Sequence, residues 1–402
     1  MSTSQLYHTQ KIKDFHHISH SFSPNLMIWK ITRAPNKFKC SCCRSSNVTA
    51  TRTGERKITG LKSGCLNVQL LVVMHRLKCH NCGAFKVEKL DFLPNQKCHY
   101  TKKVADNVMV LRKEMSISAV SKYLGLHWNT VKEIEKSYLK KKYAKIPIRD
   151  VKAIGVDEVY VGKNKFLTIV RDMDKGDVLF IGDGKNAESL APFAKKLKNA
   201  KHKISTIAMD LGNPFTAWAK KHLPDAVIVY DKFHVIQLMN KKLNAVRRRT
   251  MNKLVENEKK VLKGQMYTLL RNEEDLGEEA TESLSVIRET YNDLGEISLM
   301  KECLRNVYAI AEFEEQARLA FTRWISLAIE TGVSELKTMA KTIKRKLDGV
   351  VAYWKGKLTS ASMEGFNNKI GWLNRQAYGY RDMEYFKLKI YDLPKTRTEK
   401  KL

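Results

Sequence analysis

The sequence predicts a multidomain chain of mixed α+β and α/β class, and three observations carry that prediction. Two Cys-x-x-Cys pairs, Cys40/Cys43 and Cys79/Cys82, bracket strand-like sequence; two short helical segments flank Gly125; and from Ala153 a set of apolar strands gives way to a long helical tract. A chain of 402 residues has room for several domains with real cores. With 43% hydrophobic and 29% charged residues, it reads as folded rather than disordered. There are 73 Lys and Arg against 42 Asp and Glu, a formal net charge of +31, which points to a polyanionic partner, nucleic acid first. The longest apolar stretch, Leu66 to Met74, is too short for a bilayer, and His8, Lys11, Lys13, Asp14 and His16 interrupt the place where a signal peptide needs an apolar run. A cytoplasmic protein with no membrane partner is therefore expected. Eight cysteines are too few for a disulfide scaffold in a chain this long, and four of them have the spacing of metal ligands in a reducing compartment.

Residues 1–36 read as a short strand-bearing leader, in which His16, His17 and His20 could gather a metal but fit a solvated polar segment better. Residues 37–100 read as a zinc-ribbon-like β module. Cys40 and Cys43 are separated by 35 residues from Cys79 and Cys82; each pair can turn two thiolates toward one ion, and Gly83 relieves the backbone beside the second turn. Four thiolates suit a closed, structural Zn²⁺ site. Cys42 competes with its neighbours for register, whereas Cys65 and Cys98 read as packing residues. Between the pairs, Val68–Leu71 and the residues around Arg76 have strand character.

Residues 101–146 form the expected helix-turn-helix. Ile117–Leu124, the turn Gly125–Leu126 and a second helix with Val131 and Ile134 turned inward give that pattern. The recognition helix would present Trp128, Asn129 and Thr130 to bases, with Lys132 and Lys136 near phosphates. From Thr101 to Asp150 there are twelve Lys and Arg against five Asp and Glu, which favours DNA over a neutral packing unit. A basic run from Lys140 to Lys145 leads into the next domain.

Strands are expected at Ile154–Val161, Phe166–Arg171 and Val178–Gly182, joined by links so short that only antiparallel hairpins can form. A helix at Ser189–Leu197, a strand at Ile204–Met209, a helix at Pro214–His222 and a strand at Ala226–Tyr230 complete a ribonuclease H-like order of mixed sheet. Asp157 lies inside the first strand, where a carboxylate is disfavoured. Asp210 follows the fourth strand, at the kind of strand end where ligand sites form. If those strands are neighbours, two like charges meet and call for a cation with a taste for oxygen, such as Mg²⁺. Glu158 should face away from Asp157 because strand side chains alternate. Asp231 rivals Asp210 but also suits the N-cap of the next helix, and His234 could orient a ligand or touch DNA. A helix over 358–378, capped by Ser360, carries an apolar stripe of Met363, Phe366, Ile370, Leu373 and Ala377, and sets Glu364, Asn368, Gly371 and Arg375 along its flank. Trp218, Trp324 and Trp354 read as core, while Trp128 and Trp372 lie nearer the expected DNA surfaces.

At these residues the chain resembles the DDE transposases of bacterial insertion sequences of the ISL3 type. The likeness runs through the Cys-x-x-Cys pairs, the helix-turn-helix, Gly155-Val-Asp-Glu158, Met209-Asp210 and Tyr230-Asp-Lys-Phe-His-Val235. It is strongest in Met363-Glu-Gly-Phe-Asn-Asn-Lys-Ile370 and Arg375-Gln-Ala-Tyr-Gly-Tyr-Arg381. The first Cys block departs from the family pattern, with Lys39-Cys-Ser-Cys-Cys43 in place of a Cys-Pro-x-Cys form. The resemblance implies a catalytic triad of Asp157, Asp210 and Glu364, and a catalytic domain of residues 147–239 and 357–393. It also implies a helical insertion at 240–356; a basic tail occupies 394–402. Within the insertion, Arg247, Arg248 and Arg249 read as phosphate contacts if their helix faces DNA; Arg375 and Arg381 have the same expected role.

The function so implied is binding of an element's terminal inverted repeats, then metal-dependent cleavage and strand transfer. Two Mg²⁺ ions, for which Mn²⁺ could substitute, would sit about 3.5–4 Å apart between the three carboxylates and the scissile phosphate. Synapsis of two ends calls for a dimer or higher assembly, and a DNA enzyme of this kind belongs with the bacterial nucleoid. Two other readings use the same residues: a DNA-binding regulator with an inactive ribonuclease H-like domain, and a metal-dependent nuclease that cuts without joining.

Overall fold

The structure is a computed structural model that describes residues 3–198, 204–211, 214–356 and 361–394. The chain divides into two compact units, Met1–Ala144 and Lys145–Leu402. Each has α and β elements, and each is built on one mixed five-stranded sheet.

The first unit begins with α1 (Thr3–Gln10), β1 (Phe15–Ser23) and β2 (Leu26–Arg33). A long hairpin follows, β3 (Val48–Ser63) and β4 (Leu66–Cys79), with the short β5 (Phe85–Val87) beyond it. The strands run in the order β1-β2-β4-β3, with β5 also on β4; β2 and β4 are parallel and the other pairs antiparallel. Alternate residues of β2, Met27, Trp29 and Ile31, are buried with Ile58, Val68, Leu70 and Val72 and with Leu6, Ile12 and Phe15. The segment expected as a leader carries α1, β1 and β2 of this sheet unit. Residues from Leu6 to Ile31 supply one wall of the β core, because the parallel pairing of β2 on β4 buries an apolar face that neither strand could hide alone. Val68–Leu71 and the Arg76 region belong to the single strand β4, where two strands were expected. Next come α2 (Lys102–Leu111), α3 (Ile117–Leu124) and α4 (Trp128–Lys142). Thr101, Ser116 and His127 cap them, each accepting a backbone N–H, and Gly125 ends α3 at φ +64°, a conformation that suits glycine. Val108, Val120, Leu124, Val131 and Ile134 form their shared core. The Arg112 Nε donates to the buried Glu135 at 2.6 Å, tying α2 to α4.

In the second unit β6 (Ala153–Gly162), β7 (Lys165–Asp172) and β8 (Val178–Asp183) form the antiparallel meander. Lys163 and Asn164, both at positive φ, make the first turn. Then follow α5 (Ala191–Lys198), β9 (Thr206–Met209), α6 (Phe215–His222) and β10 (Val227–Tyr230), giving the sheet order β10-β9-β6-β7-β8. β9 pairs with β6 and β10 with β9, both in parallel. The first and fourth strands of this sheet are therefore neighbours, as the carboxylate argument requires.

The helical tract starts with α7 (Lys232–Met251), which runs straight across the boundary expected at residue 239. It continues through α8 (Glu256–Gly264), α9 (Met266–Leu270), α10 (Glu278–Thr290), α11 (Asn292–Ile310), α12 (Glu314–Glu330), α13 (Ser334–Arg345), α14 (Leu347–Val351) and α15 (Tyr353–Gly356). This tract shares one core with the sheet: Ile154, Val156, Ile207 and Tyr230 are buried together with Val235, Leu304, Phe321 and Val350. Gly349 has no room for a Cβ, which would stand 2.6 Å from the Tyr230 ring. Trp218, Trp324 and Trp354 are all buried in this core. On the opposite face of the sheet, α16 (Ala361–Gln376) and α17 (Met383–Tyr391) cover Val159, Leu167, Ile169 and Ile181 with Phe366, Ile370, Phe386 and Ile390. Ala377, expected on the apolar stripe, lies exposed past the end of α16. The proposed cap Ser360 lies outside the described residues.

Candidate active site and candidate metal centre

Asp157 sits mid-strand on β6, paired with Ile169 of β7. Its two oxygens are held separately. Oδ1 accepts the backbone N–H of Glu158 at 2.7 Å, and Oδ2 accepts Nδ2 of Asn367 on α16 at 2.5 Å. Burial, then the charge of Asp210, raises its pKa to about 6, against the opposing pull of the Glu158 N–H, His234 and Asn367. Asp210 immediately follows β9, the strand beside β6, so strand adjacency brings the two carboxylates within range of each other. One Asp210 oxygen lies 2.5 Å from Nε2 of His234, in the first turn of α7. Burial pushes the His234 pKa down, but the hydrogen bond and charge of Asp210, helped by Asp157 and Asp231, outweigh it and raise it.

Alternation puts Glu158 on the other face of β6 from Asp157, yet it too feels Asp210. Burial and that charge raise its pKa, Lys185 and His234 oppose the rise, and its Oε2 is buried without a hydrogen-bond partner. Asp231 is nine-tenths buried and caps α7, accepting the Phe233 N–H at 2.5 Å. The charge of Asp210 is the one that raises Asp157, while that of Asp231 acts on His234.

Glu364 is exposed in the first described turn of α16. That helix is laid along β6 by three contacts. Met363 packs where a Cβ on Gly155 would stand 3.0 Å from its sulfur, Asn367 binds Asp157, and Asn374 donates to the Val161 carbonyl at 3.2 Å. Sequence reasoning assigns no role to Asn367. The signal was its place one helical turn after Met363, on the sheet-facing side rather than the flank. Oxygen donors from β6, the β9 end and α16 are hard ligands, the donor set that suits Mg²⁺ or Mn²⁺. Among the described residues, however, no three acids bring ligand oxygens within the 4.8 Å that unites the four thiols described next.

Cys40, Cys43, Cys79 and Cys82 do form such a cluster, with Cys40–Cys82 and Cys43–Cys79 sulfur separations of 3.7 and 3.5 Å. The two turns are built alike. Cys40 N donates to Ser45 and Cys79 N to Ala84, while Arg44 and Gly83 take the same positive φ and donate back to the first Cys of each pair. The N–H groups of Cys43 and Cys42 pull the Cys40 thiol down, and those of Cys82 and Asn81 do the same for Cys79. Cys42 points away, exposed, and its backbone rather than its sulfur serves the site. Four soft thiols at this spacing fit zinc.

The residues expected at DNA fall into two groups. Trp128 and Asn129 are exposed at the start of α4, with Thr130, Lys132 and Lys136 half-buried beside them and the Lys132 ammonium 6.0 Å from the Trp128 ring centre. Arg375, over the exposed Trp372, and Arg381 are also at the surface. The Arg triplet corrects the expectation. Arg247 is only 6% exposed; its guanidinium binds Asn244 and the Leu262 carbonyl, so it holds α7 to α8 instead of facing a phosphate. Arg249 pairs with Glu335 and Asp293. Arg248 alone is exposed, lining with Lys241 and Lys253 a groove of about 760 Å³.

Comparison with known proteins adds a family. The family model for ISL3-type DDE elements, described as "Transposase", matches residues 154–390. The transposase for insertion sequence element IS1001 of Bordetella parapertussis is 28% identical over 356 residues, covering 87% of each chain. The transposase for insertion sequence element IS1557 of Mycobacterium tuberculosis is 27% identical over 368 residues, 85% of this chain and 82% of that one. Among solved structures, a Drosophila P element transposase strand transfer complex aligns with a TM-score of 0.41 and 13% identity, over 74% of this chain and 92% of that one.

Proposed function

The chain belongs to the ISL3 family of DDE transposases, and we propose that Asp157, Asp210 and Glu364 are its catalytic acids and hold two Mg²⁺ ions, with Mn²⁺ able to substitute. The observation that carries this reading is the pairing of Asp157 with Asp210. Burial and mutual repulsion make two adjacent carboxylates unfavourable unless a cation relieves them, and Asp157 answers by a raised pKa. Glu364 would complete the set from α16. Divalent ions held by these carboxylates would supply an activated nucleophile and charge stabilisation at the leaving oxygen. Asp210 would exchange its His234 contact for the metal, which would free Nε2 of His234 at the edge of the site.

In this reading β6–β10 with α16 and α17 are a ribonuclease H-like catalytic domain. The Cys40/Cys43/Cys79/Cys82 centre holds structural zinc, and α3 and α4 are a helix-turn-helix that binds the element's terminal inverted repeats. Trp128, Asn129 and Thr130 would meet bases, and Lys132 and Lys136 phosphates. Arg248, Arg375 and Arg381 would hold the DNA backbone, giving an affinity that falls steeply with salt. The working assembly would be a dimer or larger, in the bacterial cytoplasm at the nucleoid. None of the helices is long and apolar enough to cross a membrane among the described residues. The test is to assay Asp157→Ala and Glu364→Ala for cleavage and for repeat binding. Loss of cleavage with intact binding supports the triad; loss of binding in a folded variant contradicts it.

A further inference from the structure

We infer that Asn367 is a positioning residue of the carboxylate site, its amide fixing the plane of the Asp157 carboxylate and tying the register of α16, and with it Glu364, to β6. The inference rests on the metal-site reading above and goes beyond it to a residue outside the triad. Asp157 receives one donor per oxygen, the Glu158 N–H on Oδ1 and Asn367 Nδ2 on Oδ2. A carboxylate has about four acceptor positions, so both oxygens keep a lone pair for a ligand while their plane is locked. The amide cannot be turned round, because its oxygen would then face the carboxylate. The orientation costs something: Oδ1 of Asn367 is buried with no hydrogen-bond partner, a penalty a merely packed residue would avoid.

The same helix carries a natural comparison. Asn374 also pins α16 to β6, but on the Val161 carbonyl. Along β6 the anchors run from Gly155 through Asp157 to Val161 as those on α16 run from Met363 through Asn367 to Asn374, so helix and strand ascend together. Only the Asn367 anchor touches a carboxylate. Glu364 stands three residues before it, on the neighbouring face of the same turn. Ligand-orienting partners of this kind change metal affinity by about 10–100-fold when removed.

The experiment compares Asn367→Ala, Asn374→Ala and Asp157→Ala in the full-length chain. Three readouts are taken: Mn²⁺ affinity without DNA by calorimetric titration, melting temperature in EDTA, and kcat and KM on a labelled duplex. Asn367→Ala is expected to weaken Mn²⁺ about tenfold or more and to lower kcat with KM for DNA unchanged. Asn374→Ala should keep parental Mn²⁺ affinity even if its melting temperature falls. Asn367→Gln, which retains the amide but displaces it, should lose less than Asn367→Ala, and it carries the test if the alanine variant does not fold. If Asn367→Ala and Asn374→Ala lower the melting temperature alike and leave Mn²⁺ affinity parental, Asn367 is only an anchor and the inference is overturned. If Asp157→Ala also binds Mn²⁺ like the parent, the metal-site reading itself falls.

Discussion

Asp157→Asn should stabilise the protein while abolishing its chemistry. In the metal-free protein the Asp157 pKa rises from 3.8 to about 6. At about 1.36 kcal/mol per unit, keeping Asp157 ionised costs the folded state about 3 kcal/mol at neutral pH, an upper figure because water reaches part of the site. The sign follows from the direction. Above pH 6 the group is ionised in both folded and unfolded chains, and the full cost applies. Between pH 6 and 4 the folded state takes up its proton first and the cost shrinks; below the unfolded value it is gone. The amide removes the charge, its oxygen can accept the Glu158 N–H, and its NH₂ can be met by the unpartnered Oδ1 of Asn367 after that side chain turns. The expected gain is about 2–3 kcal/mol at pH 8 in EDTA, or several degrees at about 2–4 °C per kcal/mol for a unit of this size. It should vanish near pH 4. The assay is thermal unfolding followed by tryptophan fluorescence, since Trp218, Trp324 and Trp354 are buried in the same unit. Mg²⁺ should raise the melting temperature of the parent and not of the variant. An Asp157→Asn protein that is less stable than its parent at pH 8 in EDTA would refute the reasoning, for then Asp157 is a structural acceptor and not a strained ligand.

Other outcomes follow from the same geometry. Mn²⁺ affinity should drop about tenfold per pH unit below pH 6, as protons compete for Asp157; a titration that is flat from pH 7 to 5 would contradict this. The parent should hold about one zinc per chain by elemental analysis, lost together with the fold of the first unit in the double variant Cys79→Ser, Cys82→Ser. Arg247→Ala should destabilise the second unit by about 1–3 kcal/mol in urea, because it orphans the Asn244 and Leu262 oxygens. Arg248→Ala should leave stability within about 0.5 kcal/mol and lower the salt dependence of DNA binding by about one phosphate contact.

What the sequence made legible was whatever local pattern determines. The strands from Ala153 to Tyr230 fall within a few residues of expectation, because short links, glycines and alternating apolar residues fix a meander and its helical crossovers. The knuckle geometry of the two Cys pairs is local too. Long-range pairing is not: nothing near residues 26–33 announces that β2 will lie parallel to β4, so the first residues looked like a leader. Charge misled at Arg247, where three consecutive arginines read as one basic face although helical spacing turns the first of them inward beneath α8. Asn367 was legible in its place, one helical turn after Met363, but not in its role. A polar residue on the buried side of α16 breaks the apolar stripe, and only the fold shows that a carboxylate waits opposite.

The measurement that tests the central claim most directly incubates the full-length protein with a labelled duplex carrying the element's end, in Mg²⁺ or in EDTA, beside Asp210→Ala and Asp231→Ala. The account predicts Mg²⁺-dependent cleavage by the parent, none by Asp210→Ala, and cleavage retained by Asp231→Ala in proportion to its folded fraction, since Asp231 caps α7. Binding of the duplex without cleavage in any divalent metal, or cleavage that survives Asp210→Ala, would contradict it.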